Sequence, residues 1–242
     1  MSVFKFKQFQ IQQFVNSQKI TTDTCVFGSL FKQFYPYNPE RVLDVGAGTG
    51  VLSLMAAQYY PSSKIYGLEI DCDSCLELKQ NYSLSSWANR LETINEDFRS
   101  FESKHKFDLI FSNPPFFSNS LLSDKLSKTR VRHQDFSLSA SELLLGVSTL
   151  LNPEGVFICI YPFDFLEEFL KMAANFKLYP QILYSFQHTS SHPKHRFAIS
   201  LSHNIRENYE TRELVFKIEQ NHYSPFLKEL LGPFYLEKAF KE

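Results

Sequence analysis

The stretch VLDVGAGTG, residues 42–50, limits the possible folds more than any other part of the 242-residue chain. An apolar run ends in glycines at alternate positions, Gly46, Gly48 and Gly50, and a helix-forming segment starts at once with Val51. A strand that turns so tightly into a helix needs backbone at positive φ, which glycine adopts without steric cost. Such a unit belongs to a parallel sheet, whose ligands lie beyond the carboxyl ends of the strands. The rest of the chain agrees. Strand-like runs recur at RVLDV (41–45), KIYGLE (64–69), LETIN (91–95), FDLIFS (107–112) and GVFICIY (155–161). Helix-forming segments at 51–59, 72–86, 138–150 and 163–176 are interleaved with them. This β-α-β-α order implies an α/β fold, a mostly parallel sheet with helices on both faces.

The ends of the chain depart from that alternation. FKFKQFQI has period two and predicts a strand or hairpin in an N-terminal extension, residues 1–20. TTDTCVFGSLFKQF offers Thr21, Thr22 or Asp23 as the N-cap of a helix running to about Phe34. YPQILYSF (179–186) and RFAISLSH (196–203) are joined without a crossover helix, so they are expected to pair antiparallel. A last strand near 213–219 and a short helix near 224–231 form an appendage, 206–242, on a single domain whose core is 21–205. No apolar run approaches the roughly 18 residues that span a bilayer. The first residues alternate charge with aromatics instead of building an apolar signal core, which predicts an unexported, cytoplasmic chain. Cys72 and Cys75 form one C-x-x-C with no second pair to complete a zinc site, so no metal is expected.

A net charge of −1 conceals segregation. Residues 1–20 hold Lys5, Lys7 and Lys19 with no acid, and 117–133 hold Lys125, Lys128, Arg130 and Arg132 against Asp124. Residues 187–206 hold Lys194, Arg196 and Arg206 with no acid, plus His188, His192, His195 and His203. The remainder is strongly acidic. That distribution suits one positive face for an anionic partner, although solvated loops can also be basic.

The glycine loop is not a dinucleotide fingerprint: Val51 stands where G-x-G-x-x-G needs its last glycine. Asp44 precedes the loop, and a pyrophosphate would want a bare helix N-terminus with no carboxylate nearby. S-adenosylmethionine carries a sulfonium and an α-ammonium, both compatible with acids. Glu69 ends the second parallel strand, where a carboxylate can accept two ribose hydroxyls, and Asp97 follows the third, placed to accept from an adenine amine. One such acid is most often a cap or a surface residue. Three at consecutive strand ends beside a glycine loop describe a cofactor edge.

The stretch IFSNPPFFSN, 110–119, follows a strand with Asn113, Pro114, Pro115 and Phe116. A rigid turn with a hydrophobic plug would use these residues. So would a grip on a planar, hydrogen-bonding substrate. The exocyclic amine of adenine is a poor nucleophile because its lone pair is delocalised into the ring. An asparagine oxygen and a proline carbonyl that each accept one N–H would localise that pair, and the prolines would keep both acceptors aimed. Phe116 would stack on the ring, and a base inside a helix would first have to be unstacked. DVGAGTG, Glu69, Asp97 and NPPF together resemble the S-adenosylmethionine-dependent methyltransferases of the seven-stranded, Rossmann-like class, over roughly residues 20–205. That class implies a seven-stranded sheet whose last strand is antiparallel.

FKFKQFQIQQ, KITTD (19–23), SSW (85–87), NPPFF (113–117) and RHQ (132–134) carry a narrower resemblance, to the bacterial adenine-N6 methyltransferases of a valine tRNA, which act at adenine-37 beside the anticodon. Thr21 stands where that family is expected to have glycine, and Phe116 replaces its usual aromatic hydroxyl. The resemblance implies catalytic roles for Asn113, Pro114, Pro115 and Phe116. It implies S-adenosyl-L-methionine bound by Thr22, Asp44, Gly46, Gly48, Gly50, Glu69, Asp97 and Asn113. It places tRNA against Lys5, Lys7, Lys125, Lys128, Arg130, Arg132 and His133. Thr22 has the alternative role of helix cap, and Trp87 that of a core residue. The sequence leaves the oligomeric state open, and a monomer is compatible with it. A protein glutamine N5-methyltransferase would use the same grip on an amide, and a nicotinamide oxidoreductase would use a similar sheet.

Overall fold

The computed structural model describes residues 2–13, 19–114, 138–218 and 222–240. A hairpin of β1 (Ser2–Lys5) and β2 (Gln10–Gln13) precedes the main sheet. That sheet contains β3 (Arg41–Val45), β4 (Lys64–Leu68), β5 (Leu91–Ile94), β6 (Phe107–Ser112), β7 (Leu151–Pro162), β8 (Tyr179–Gln187), β9 (Arg196–Ser202) and β10 (Glu210–Val215). Their order is β10-β8-β9-β7-β6-β3-β4-β5. Only β9, among the described strands of this sheet, runs against its neighbours, pairing antiparallel with both β7 and β8.

The last strand expected near 213–219 is β10, which starts three residues earlier and pairs parallel with β8, as an eighth strand at the edge of the sheet. Of its six residues only Leu214 is buried. It is held by backbone pairing, so it offers little apolar pattern to read. Strand β7 also begins earlier than predicted, at Leu151. Its register against β6 shifts between Phe107↔Leu151 and Leu109↔Val156, which takes up Asn152-Pro153-Glu154-Gly155.

The helices are α1 (Thr22–Ser29), α2 (Phe31–Phe34), α3 (Val51–Tyr59), α4 (Cys72–Ser83), α5 (Ala140–Leu150), α6 (Leu166–Asn175) and α7 (Pro225–Leu231). The single helix expected over 21–34 is two, divided at Leu30. Thr21 is the N-cap: its hydroxyl accepts the Thr24 N–H at 3.2 Å.

Successive strand residues point to opposite faces. Val42, Leu109, Phe111, Ile158 and Ile160 join α1, α3, α4 and α7 in one buried cluster, while Leu43, Val45, Ile110, Phe157 and Cys159 join α5 and α6 in the other. Each buried Phe or Leu adds about 1.5–3 kcal/mol, so both faces of the central strands are needed to hold the sheet flat against its helices. Phe31 of α2 lies 4.5 Å, centroid to centroid, from Phe111 of β6, which fixes α1 and α2 over the carboxyl end of β6. The hairpin packs into the first cluster through Phe6, Phe9 and Ile11. Among the described residues no helix is long and apolar enough to cross a membrane.

Candidate active site

Strand order reverses between β6 and β3, since the chain runs outward through β4 and β5 before returning to the other side of β3. Crevices form at such points. Register then places the predicted residues side by side. Val45 pairs with Ser112 and with Leu68, so Gly46 lies between Asn113 on one side and Glu69 on the other. Leu68 in turn pairs with Ile94, which brings Asn95 next to Glu69. The Ser112 hydroxyl donates to Val45 O at 2.8 Å and ties the ends of β6 and β3 together.

The glycine loop has the expected backbone. Gly46, Gly48 and Gly50 have φ of +72°, +53° and +82°. At Gly48 a Cβ would meet nothing within 4 Å, so a ligand has room to approach the main chain. Gly50 serves packing instead: a Cβ there would lie 2.6 Å from Leu78 Cδ1 and 2.9 Å from the Tyr82 ring.

Asp44 is buried. Its Oδ2 accepts the Ser53 hydroxyl at 2.6 Å, and its Oδ1 has no hydrogen-bond partner among the described residues. Loss of solvation, reinforced by the Glu69 charge, pushes its carboxyl up to about 7. Glu69 is half-buried and accepts two backbone N–H groups, from Gly48 at 2.9 Å and Asp71 at 3.0 Å. Its carboxyl is also raised, again chiefly by burial. The Asn95 amide donates to Glu69 O at 2.8 Å and to Ile70 O at 3.2 Å, and accepts from the Cys72 thiol at 3.2 Å.

This edge is built of acceptors: a half-orphaned buried carboxylate, a second carboxylate with unused lone pairs, and an open glycine backbone. Such a set of acceptors fits the ammonium, sulfonium and ribose hydroxyls of S-adenosylmethionine and repels a pyrophosphate.

Asp97 departs from its expected part as a bare acceptor. Arg99, two residues on, donates to it through Nε, Nη2 and its backbone N, at 2.6–3.0 Å, and holds the carboxyl below its usual range. The short spacing explains the difference: after the third strand the chain supplies its own cation. Thr22 is exposed and is not the cap.

Asn113 is half-buried and Pro114 buried at the end of β6. The Asn113 Nδ2 donates to Thr24 Oγ1 at 3.1 Å, across 89 residues of sequence. Pro115, Phe116, Lys125, Lys128, Arg130, Arg132 and His133 lie outside the described residues. Lys5 is exposed on β1, whereas the Lys7 ammonium donates to Gly232 O at 2.6 Å. Trp87 is half-buried, 5.8 Å from the Phe9 ring.

Sequence reasoning missed the contacts of three residues here, one of which, Asp23, it offered only as a helix cap. Asn95 holds the turn after β4. Thr24 holds Asn113. Asp23 binds His195 Nε2 at 3.3 Å and Arg196 Nε at 3.6 Å, joining α1 to β9. Only Asn95 carried a local signal, as a polar residue directly after a strand. Among the described residues no group of three or more His, Cys, Asp or Glu is arranged to hold a metal ion.

Comparison with known proteins agrees with this geometry. The pattern of the methyltransferase small domain matches residues 22–148. A tRNA1(Val) (adenine(37)-N6)-methyltransferase of Flavobacterium johnsoniae is 32% identical over 97% of this chain and 100% of its own length. Proteins of the same description from Bacteroides fragilis and Vibrio campbellii are 34% and 33% identical, each over 97% of this chain and 98% and 95% of their own. Among solved structures, a predicted O-methyltransferase from Agrobacterium tumefaciens superposes with a TM-score of 0.66 at 14% identity, covering 86% of this chain and 95% of its own. A methyltransferase from Pyrococcus furiosus does so at 0.59 and 17%, covering 81% and 89%. At those identities the structural likeness speaks for the fold alone.

Proposed function

The chain belongs to the methyltransferase small-domain family, among the tRNA1(Val) (adenine(37)-N6)-methyltransferases, and from that premise we propose that it methylates N6 of an adenine in tRNA, at position 37 of a valine tRNA. The observation that carries the reading is Asn113. Its amide stands at the end of β6 beside Gly46, where a methyl donor on the glycine loop and a planar amine would meet.

When bound, S-adenosyl-L-methionine supplies an electrophilic methyl group on a sulfonium. The chain's residues do the rest. Gly46 and Gly48 would give the donor open backbone to lie against, with Gly50 shaping the turn, Glu69 would receive its ribose hydroxyls, and the acceptors around Asp44 would favour its positive charge. Asn113 Oδ1 and the Pro114 carbonyl each accept one N–H of the adenine amine, which draws its lone pair out of the ring and onto the nitrogen. Pro115 and Phe116, outside the described residues, would in this reading stiffen that loop and cover the flat face of the base. The methylated nitrogen is acidic enough to lose its proton to water, so no side chain needs to act as base. Positioning supplies most of the acceleration. Thr22, Asp97, the basic side chains and His133 stay in the proposal as cofactor and tRNA contacts.

Incubation with methyl-labelled cofactor and bulk bacterial tRNA, followed by nucleoside mapping, is expected to return N6-methyladenosine. Asn113→Ala should abolish transfer while cofactor affinity stays within about twofold, since the lost contact acts on the amine. Label on protein and none on RNA would favour a glutamine substrate. Undiminished transfer by Asn113→Ala would remove the role given to that residue.

A further inference from the structure

We infer that Thr24 is a positioning residue: by accepting from the Asn113 amide nitrogen it sets which end of that amide faces the substrate amine. The inference rests on the reading of Asn113 as an amine acceptor and deepens it.

A side-chain amide has two nearly isosteric ends of opposite polarity. Only the oxygen can receive the N–H of an adenine amine; the NH₂ end would repel it. A loop can place Asn113 correctly and still leave the two ends to exchange by rotation about χ2, a soft torsion with two broad wells. Something must therefore tell oxygen from nitrogen. Within the described residues the discriminating contact is the 3.1 Å bond from Asn113 Nδ2 to Thr24 Oγ1.

Thr24 is suited to that task. It is 9% exposed, so water competes little for the bond. Its hydroxyl lies 2.9 Å from the Thr21 hydroxyl, and its backbone N–H donates to the same Thr21 oxygen at 3.2 Å. When Thr24 gives its one hydroxyl proton to Thr21, Thr24 Oγ1 can only accept, so it takes the NH₂ end of Asn113 and turns the oxygen end away. The helix that carries Thr24 is itself fixed. Gly28 of α1 is so close to α3 that a Cβ would lie 2.5 Å from Met55 Sδ, and the following α2 rests Phe31 on Phe111, two residues before Asn113. The N-cap of α1 and the substrate acceptor therefore form one chain of bonds, Thr21–Thr24–Asn113, on a rigid mount.

Three variants separate positioning from mere packing. Thr24→Val keeps the shape and removes the acceptor; Thr24→Ser keeps the acceptor and removes a methyl group. With the tRNA fraction that wild type labels, single-turnover methyl transfer is expected to fall about tenfold in Thr24→Val and to return to within about twofold of wild type in Thr24→Ser. Cofactor affinity should stay within about twofold in both. The second readout is independent of activity. The Asn113 side-chain amide protons, assigned in ¹H–¹⁵N spectra by their loss in Asn113→Ala, should shift upfield and exchange faster with solvent in Thr24→Val, and recover in Thr24→Ser.

Wild-type transfer by Thr24→Val, a Thr24→Ser as slow as Thr24→Val, or Asn113 resonances unmoved by either substitution would each overturn the inference. Should Thr24→Val not fold, the Asn113 resonances of wild type and Thr24→Ser decide alone: fast solvent exchange in wild type would exclude the bond. Full activity of Asn113→Ala is a different failure, one that removes the underlying reading and leaves the bond itself in place.

Discussion

At the scale of single residues, Asp44 shows what a ligand-ready site costs its own fold. A carboxylate with one oxygen on Ser53 and the other without a partner among the described residues is held out of water in its charged form. Its folded-state value near 7 lies above the ordinary 3.8. The native state therefore keeps a proton that the unfolded chain has already released. Stability from this group is complete below about 3.8 and is lost progressively as pH rises through about 7. Asp44→Asn cannot ionise, so the difference in unfolding free energy between the variant and wild type should grow in the variant's favour across that window and level off above it. The full swing is on the order of 4 kcal/mol at most. Urea unfolding of both proteins from pH 4 to 8 measures it, and parallel curves would show that Asp44 ionises freely in the fold. Asp44, Glu69, the glycines and Asn113 were legible in the sequence because their chemistry is local to a motif. Thr24 was not, because its partner stands 89 residues away and a helix-start threonine already has a sufficient local purpose.

Among the elements, the N-terminal hairpin and the glycine loop are joined by a single side chain of α4. Asn81 is buried; its Oδ1 accepts Gln12 N at 2.9 Å, and its Nδ2 donates to Gln12 O at 3.1 Å and to Thr49 O at 2.9 Å. One amide thus pairs with β2 as a neighbouring strand would and also ties down the loop that faces the cofactor. Asn81→Ala leaves three backbone groups without that partner and should lower stability by about 2–4 kcal/mol. The loss should be uneven. Hydrogen exchange at Gln12 should accelerate more than at β3, and cofactor affinity should fall because Thr49 is released. Equal acceleration throughout would mean that the hairpin and the sheet open together regardless of this contact. The hairpin was legible from its alternating FKFKQFQI, and the parallel strands from continuous apolar runs. The break at Leu30, the early start of β7, and the bounds and parallel edge pairing of β10 were not, since each is decided by tertiary context. Asn152-Pro153-Glu154-Gly155 reads as a turn until the shift beside Phe107 absorbs it.

Across the whole molecule, the segregated charge has to be discounted for what the fold does with each cation. In the 187–206 window, Lys194 lies 2.7 Å from Glu213 and Arg196 lies 3.6 Å from Asp23, so the nearby acids, distant in sequence, return part of the positive field. In the first window the two hairpin lysines are not equivalent. Lys5 is exposed on β1, while Lys7 donates to Gly232 O, a carbonyl at the C-terminus of α7, where a cation is favoured. Phosphate contact and helix capping give different signatures. If Lys5 meets an RNA phosphate, Lys5→Ala should weaken tRNA binding and reduce the slope of log affinity against log salt by about 0.7–0.9, with thermal stability unchanged. Lys7→Ala should cost about 0.5–1 kcal/mol of stability through the freed carbonyl and change the slope less. Salt titrations of tRNA binding, paired with thermal melts of the two variants, distinguish the cases. A Lys7→Ala protein that melts like wild type and loses as much slope as Lys5→Ala would assign both lysines to RNA and leave the end of α7 without need of a cap.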